Sequence, residues 1–192
     1  QVAVAPTPAA QAGPTQTVQA SPAPASTGVQ ATQLWTARLA QSPGAAIAFA
    51  PDGTVWVQDY AGTAWIFDRD GNLLGKWGTP GTGPGQLNFK VAGEDSWFGD
   101  LAFAPDGSFF IAECGNSRVE KFDAQRKLVL TIGTKGSSAG QLMCPSGVAV
   151  GADGDIFVAD NGRNDIQRFG PDGTYIKNLG SFGGKFCGTG GV

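Results

Sequence analysis

The chain has 192 residues, with 30 glycines, 12 prolines, three cysteines, no histidine and only 15% charged residues, a turn-rich composition that does not suit a helical protein. Thirteen basic against sixteen acidic residues give a net charge of −3, which lacks the basic footprint that counterion release demands of a nucleic-acid binder. Without histidine there is no Ser-His-Asp triad, Cys-His dyad or His-containing zinc site, and no apolar run reaches the roughly 18 residues a membrane span needs.

Residues 1–33 form the first expected domain, built only from Ala, Gln, Thr, Pro, Val, Ser and Gly; the first charge is Arg38. Five prolines (Pro6, Pro8, Pro14, Pro22, Pro24) and no aromatic residue leave too little apolar surface to offset the entropy of ordering, so the segment reads as an extended, polyproline-like stalk or linker. Its hydroxyl residues Thr7, Thr15, Thr17, Ser21, Ser26, Thr27 and Thr32 are candidates for O-glycosylation. Gln1 to Ala5 also alternates like a short strand that could add to the sheet of another subunit. The sequence starts at Gln1 and its one methionine is Met143, which suits a mature secreted product after signal-peptide removal, or a fragment. The expected location is extracellular or at a cell surface.

Residues 34–192 form the second expected domain, and here the sequence repeats. Ala48 to Asp59, Ala102 to Glu113 and Ala149 to Asp160 superimpose, each an apolar run, a turn and a second apolar run. Two further short runs follow each: Trp65 to Asp68 and Leu73 to Gly78, Val119 to Asp123 and Leu128 to Gly133, then Ile166 to Gly170 and Tyr175 to Gly180. The marker glycines Gly53, Gly107 and Gly154 lie 54 and 47 residues apart. Turn chemistry such as Pro51-Asp52-Gly53, Pro105-Asp106-Gly107 and Pro171-Asp172-Gly173 separates the runs, which is the signature of strands joined by hairpins. Four antiparallel strands in roughly 50 residues make one propeller blade. Asp68-Arg69-Asp70-Gly71-Asn72 begins like a calcium-binding loop, but its glycine comes two places early and the closing Glu is missing, so it reads as a hairpin turn.

The third repeat, with Gly140-Gln141-Leu142, Pro145 to Val150, Asp155 to Asp160 and Asn164 to Phe169, resembles an NHL repeat, and Gly115-Asn116-Ser117-Arg118-Val119 of the second is similar to the family's Asn-x-Arg-Ile strand. Asp165 stands where the family has Arg, and Ala61 to Ala64 where Asn and Arg belong. The WD-repeat alternative lacks its Gly-His and Trp-Asp marks. The resemblance implies an all-β fold: three four-stranded NHL-like propeller blades in an incomplete ring, preceded by the extended Pro/Thr/Ala-rich segment. It also implies that a full ring takes six blades of about 45 residues. Gln33 to Leu39 then reads as the outermost strand of an incomplete blade, and Ser181 to Val192 as a connection toward a fourth.

The same resemblance places the loops that enter strand one and those that join strands two and three on one recognition face. Glu113, Asn116, Asp160, Asn161 and Arg163 should share it, with an insertion of about seven residues around Asn88 to Phe98. Glu94 and Asp95 beside Trp97 could bind a glycan, the ring covering a sugar face while the carboxylates accept its hydroxyls; alternatively Trp97 and Phe98 simply pack the blade. Related enzymatic propellers hold metals through Glu, Asn and Asp, so a divalent-metal hydrolase or lactonase is a further reading. Such a site needs ligands from most blades around the axis, and half the blades are absent. Cys114, leaving strand two of one blade, and Cys144, entering the next, are the candidate disulfide partners in an oxidising compartment, with Cys187 free or bonded elsewhere; the alternative is three reduced thiols.

The expectation is therefore a secreted, non-enzymatic structural protein without cofactor, whose partners are other copies of itself in a filament or surface assembly, joined through the N-terminal segment and open propeller edges. The alternative is a glycan- or protein-binding propeller module.

Overall fold

A computed structural model of the chain describes residues 44–181. Twelve strands fill this span, with one 3-10 turn at Cys114–Asn116. The first blade comprises β1 (Gly44–Phe49), β2 (Val55–Asp59), β3 (Ala64–Phe67) and β4 (Leu73–Trp77). The second comprises β5 (Gly99–Phe103), β6 (Phe109–Glu113), β7 (Arg118–Phe122) and β8 (Leu128–Ile132). The third comprises β9 (Pro145–Val150), β10 (Ile156–Asp160), β11 (Asp165–Phe169) and β12 (Tyr175–Ser181). Each set forms its own antiparallel sheet in chain order, so the all-β blades expected from the repeat are the blades observed. Residues 1–33 with their hydroxyl candidates, the Gln33 to Leu39 strand and Cys187 lie outside the described residues.

Local chemistry explains the hairpins. In the first two blades an aspartate in the turn after the first strand accepts both the N–H and the hydroxyl of the residue two places on, Asp52 from Thr54 and Asp106 from Ser108. The intervening glycines, Gly53 and Gly107, sit at φ +86° and +84°, where a side chain would strain the backbone. Asp68 likewise accepts the Asp70 and Asn72 N–H groups, which makes 68–72 the hairpin turn expected rather than an ion loop.

The core lies between blades. On β6 successive side chains alternate between two apolar clusters: Phe109 and Ile111 face the first blade, Phe110 and Ala112 the third. The first cluster joins Trp56 and Ile66 to Leu101, Phe109 and Phe122; the second joins Phe110, Val119 and Ile132 to Val148, Ile156 and Phe169. Aromatic rings meet edge to face in the first, with Trp77 to Phe122 at 4.8 Å and Trp56 to Phe103 at 5.3 Å between centroids. Removing the ring of the fully buried Phe109 would cost about 3–5 kcal/mol.

Each connection between blades carries the same plug. Leu87 and Leu142, 1% and 0% exposed, drop into the two clusters from Gly85-Gln86-Leu87 and Gly140-Gln141-Leu142. The Gln86 and Gln141 side chains accept the Gly83 and Ser138 N–H groups. The plug is anchored on the next blade's third strand, where Glu120 accepts the Gly85 N–H at 3.0 Å and Gln167 the Gly140 N–H at 2.9 Å.

Candidate functional site

The ends of the second strands and the loops that enter each blade meet on one face, and an acidic residue sits at each junction. Glu113 is fully buried. It accepts the Asn88 N–H at 2.9 Å, the Asn116 amide at 2.7 Å and Arg118 Nε at 3.1 Å. Burial outweighs these donors, and with the neighbouring carboxylate of Glu120 it pushes the Glu113 carboxyl up to about 7. Arg118 turns from Glu113 to Glu120 and donates to the Gly83 and Gln86 carbonyls, while Asn116 donates to the Gly81 carbonyl.

Asp160 does the same work one blade later. Its Oδ2 accepts the Met143 N–H at 2.7 Å, and its Oδ1 accepts the N–H groups of Cys144, Gly162 and Arg163. Where Arg118 of the second blade reaches the Gly83 carbonyl, the third blade has Asp165; Arg163 pairs with that aspartate at 2.9 Å and reaches the matching Ser138 carbonyl. The departure from the repeat pattern is thus compensated two residues upstream, and Gln167 adds a bond to the Gln141 carbonyl. The Asn161 N–H donates to the Cys144 carbonyl. Glycine is needed beside both acids because a Cβ on Gly115 would come within 2.6 Å of Asn88 and Lys90, and one on Gly162 within 2.7 Å of Met143.

Cys114 and Cys144 form a disulfide with an S–S distance of 2.02 Å across this junction, the pairing expected from the blade topology. The structure therefore brings Glu113, Asn116 and Cys114 together in one network, and Asp160, Asn161, Arg163 and Cys144 in the next. Both networks spend their polar atoms on holding incoming loops. Among the described residues no three His, Cys, Asp or Glu groups converge on a position that could hold a metal ion.

The insertion is a small hairpin, bridged between Lys90 and Trp97. Glu94 and Asp95 stand exposed at its tip, Glu94 accepting the Ser96 hydroxyl and Asp95 paired with Lys90 at 3.8 Å. Trp97 is half-buried against the first cluster, its ring 6.1 Å from Tyr60. The ring thus packs the blade rather than standing free beside the two carboxylates.

Two features escaped the sequence reading. Asp100 on the innermost strand β5 accepts the Val148 N–H at 3.0 Å and so bridges two blades near the axis; burial raises its carboxyl above the ordinary value. On the opposite face, a cleft of about 270 Å³ opens between the Pro51-Asp52-Gly53 and Pro105-Asp106-Gly107 turns, walled by Trp56, Phe103 and Ala124 and crossed by Arg126. Arg126 lies 5.1 Å from the Trp56 ring and has a left-handed backbone, φ +68°. The matching turn positions in the other blades are Gly71 and Gly173, at +86° and +81°, so the signal was an arginine in a glycine slot. Holding a side chain there costs about 1 kcal/mol.

Residues 142–169 match the NHL repeat family. No curated protein sequence matches the chain. Among solved structures the chain is similar to virginiamycin B lyase from Staphylococcus aureus, at 17% identity and a TM-score of 0.52, over 75% of this chain and 42% of that one. It is similar also to the RRP9 WD40 repeats, at 12% identity and a TM-score of 0.53, over 74% of this chain and 40% of that one. The chain thus spans less than half the length of either. At these identities the likeness establishes the fold alone: the three sheets are β-propeller blades, and the third carries an NHL repeat.

Proposed function

We propose that this chain, a run of β-propeller blades carrying an NHL repeat, is a non-catalytic structural protein that assembles with further copies of itself in an extracellular filament or surface layer, through the open face of its first blade and its N-terminal segment. One observation carries the reading. Strand register makes Ile47, Leu101 and Val148 equivalent, opposite Val57, Ile111 and Val158. Leu101 and Val148 are 4% and 7% exposed because the preceding blade covers them, whereas Ile47 is 65% exposed. Phe49 and Leu73, on the same face, are 70% and 50% exposed, while their equivalents Phe103 and Leu128 pack into the first cluster. A face of this composition is built to be covered by another blade.

The non-catalytic half of the reading is supported by the use of Glu113 and Asp160 as loop anchors. The extracellular half is supported by the disulfide, which persists in oxidising compartments. Sedimentation velocity over a wide concentration range tests the proposal. The wild-type chain should grow in mass with concentration, while Ile47→Lys and Phe49→Lys chains with unchanged far-UV circular dichroism stay monomeric. A wild-type chain that is monomeric at every concentration rules the reading out.

A further inference from the structure

The cleft at Arg126 has no part in the contact just described. Its floor and walls are apolar, from Ala50, Trp56, Phe103 and Phe109, and its rims are the prolines Pro51 and Pro105. Asp52 and Asp106 line it as carboxylates held below their ordinary value by hydrogen bonds from Thr54 and Ser108, and Arg126 stands exposed against them. Asp52 and Arg126 also line a second hollow of about 220 Å³ with Ile66 and Leu74, so the groove continues past the arginine. The guanidinium offers donors along a trough of mixed polar and apolar lining, in which the carboxylates of Asp52 and Asp106 outnumber the one cation.

We propose that this groove binds a proline-rich extended segment, and that the segment is residues 1–33 of a second copy of the chain. A polyproline helix has no internal hydrogen bonds, so its carbonyls are free to accept from Arg126 while its rings lie on aromatic and proline walls. Residues 1–33 supply five prolines, no charge and no bulky side chain that a trough of this size would refuse. An uncharged ligand also matches a groove in which Asp52 and Asp106 flank the arginine. The other two blades place glycine at this position, so the strained backbone at Arg126 serves its side chain, which stands over the Trp56 ring and beside Asp52 on the groove. The proposal rests on the self-assembly reading, to which it adds the receptor for the N-terminal segment.

The test uses the full chain with Ala124→p-benzoylphenylalanine, which puts a photocrosslinker on the groove wall, mixed with an isotope-labelled unmodified copy. Mass spectrometry should find crosslinks on residues 1–33, in pairs joining labelled to unlabelled chains. Arg126→Gly should cut their yield about tenfold, the loss of roughly one charge-assisted hydrogen bond, without lowering the melting temperature. Crosslinks elsewhere only, or a yield indifferent to Arg126→Gly, overturn the proposal. Oligosaccharides that abolish the crosslinks and bind the wild type but not Arg126→Gly also overturn it, in favour of a sugar site. If Phe49→Lys leaves assembly intact while these crosslinks persist, the blade-face reading fails and the groove stands. Loss of the crosslinks with assembly still sensitive to Phe49→Lys shows the reverse.

Discussion

Glu113 shows how one side chain can be both a keystone and a liability. Its three donors hold the loop into the second blade, yet they do not fully replace the water lost on burial, and its carboxyl titrates near 7 instead of its ordinary 4.5. Between those two values the folded chain binds more protons at this site than the unfolded chain does. Stability from this group is therefore complete at pH below 4.5 and falls as pH rises through 7. Urea unfolding should show the wild type losing stability from mildly acid to neutral pH, and Glu113→Gln should flatten that component of the profile. A Glu113→Gln profile parallel to the wild type would place the titration elsewhere. The importance of Glu113 was legible in the repeat, because an acid ends strand two in all three blades. Its duty was not, because sequence cannot tell a carboxylate facing solvent from one facing backbone N–H groups.

At the scale of elements, the strands were the most legible part. An unbroken apolar run such as Phe109-Phe110-Ile111-Ala112 marks a strand covered on both faces, and an aspartate-glycine turn marks its start. The loops between blades were read only as motifs, and their mechanical role emerges from Gly85 on Glu120 and Gly140 on Gln167. Trp97 was ambiguous for the same reason: a ring beside two acids reads alike whether it packs inward or stands free. Asp160 gives the element its most direct test. Asp160→Ala leaves the N–H groups of Met143, Cys144, Gly162 and Arg163 without their acceptor and should cost about 3 kcal/mol or more in urea unfolding. Asp160→Asn, which keeps an acceptor oxygen, should cost clearly less. Equal losses would mean that charge, not geometry, holds the loop.

For the whole molecule, blades in series touch only their neighbours, so stability is shared unevenly. The second blade is buried on both faces, whereas the first presents Ile47 and Phe49 outward. Among the described residues only the junction between the second and third blades carries a disulfide, closing a loop with a sequence separation of 30. Reduction, or Cys114→Ser with Cys144→Ser, should lower stability by about 3 kcal/mol, seen as a drop in melting temperature. The same bond has a mechanical meaning. If the chain works under tension, everything between Cys114 and Cys144 is shielded from extension, so in a pulling experiment the oxidised protein should release roughly 100 Å less length than the reduced one. The first blade, stapled to nothing, is then the part that yields, and the oxidation state of one bond sets how far the molecule can stretch.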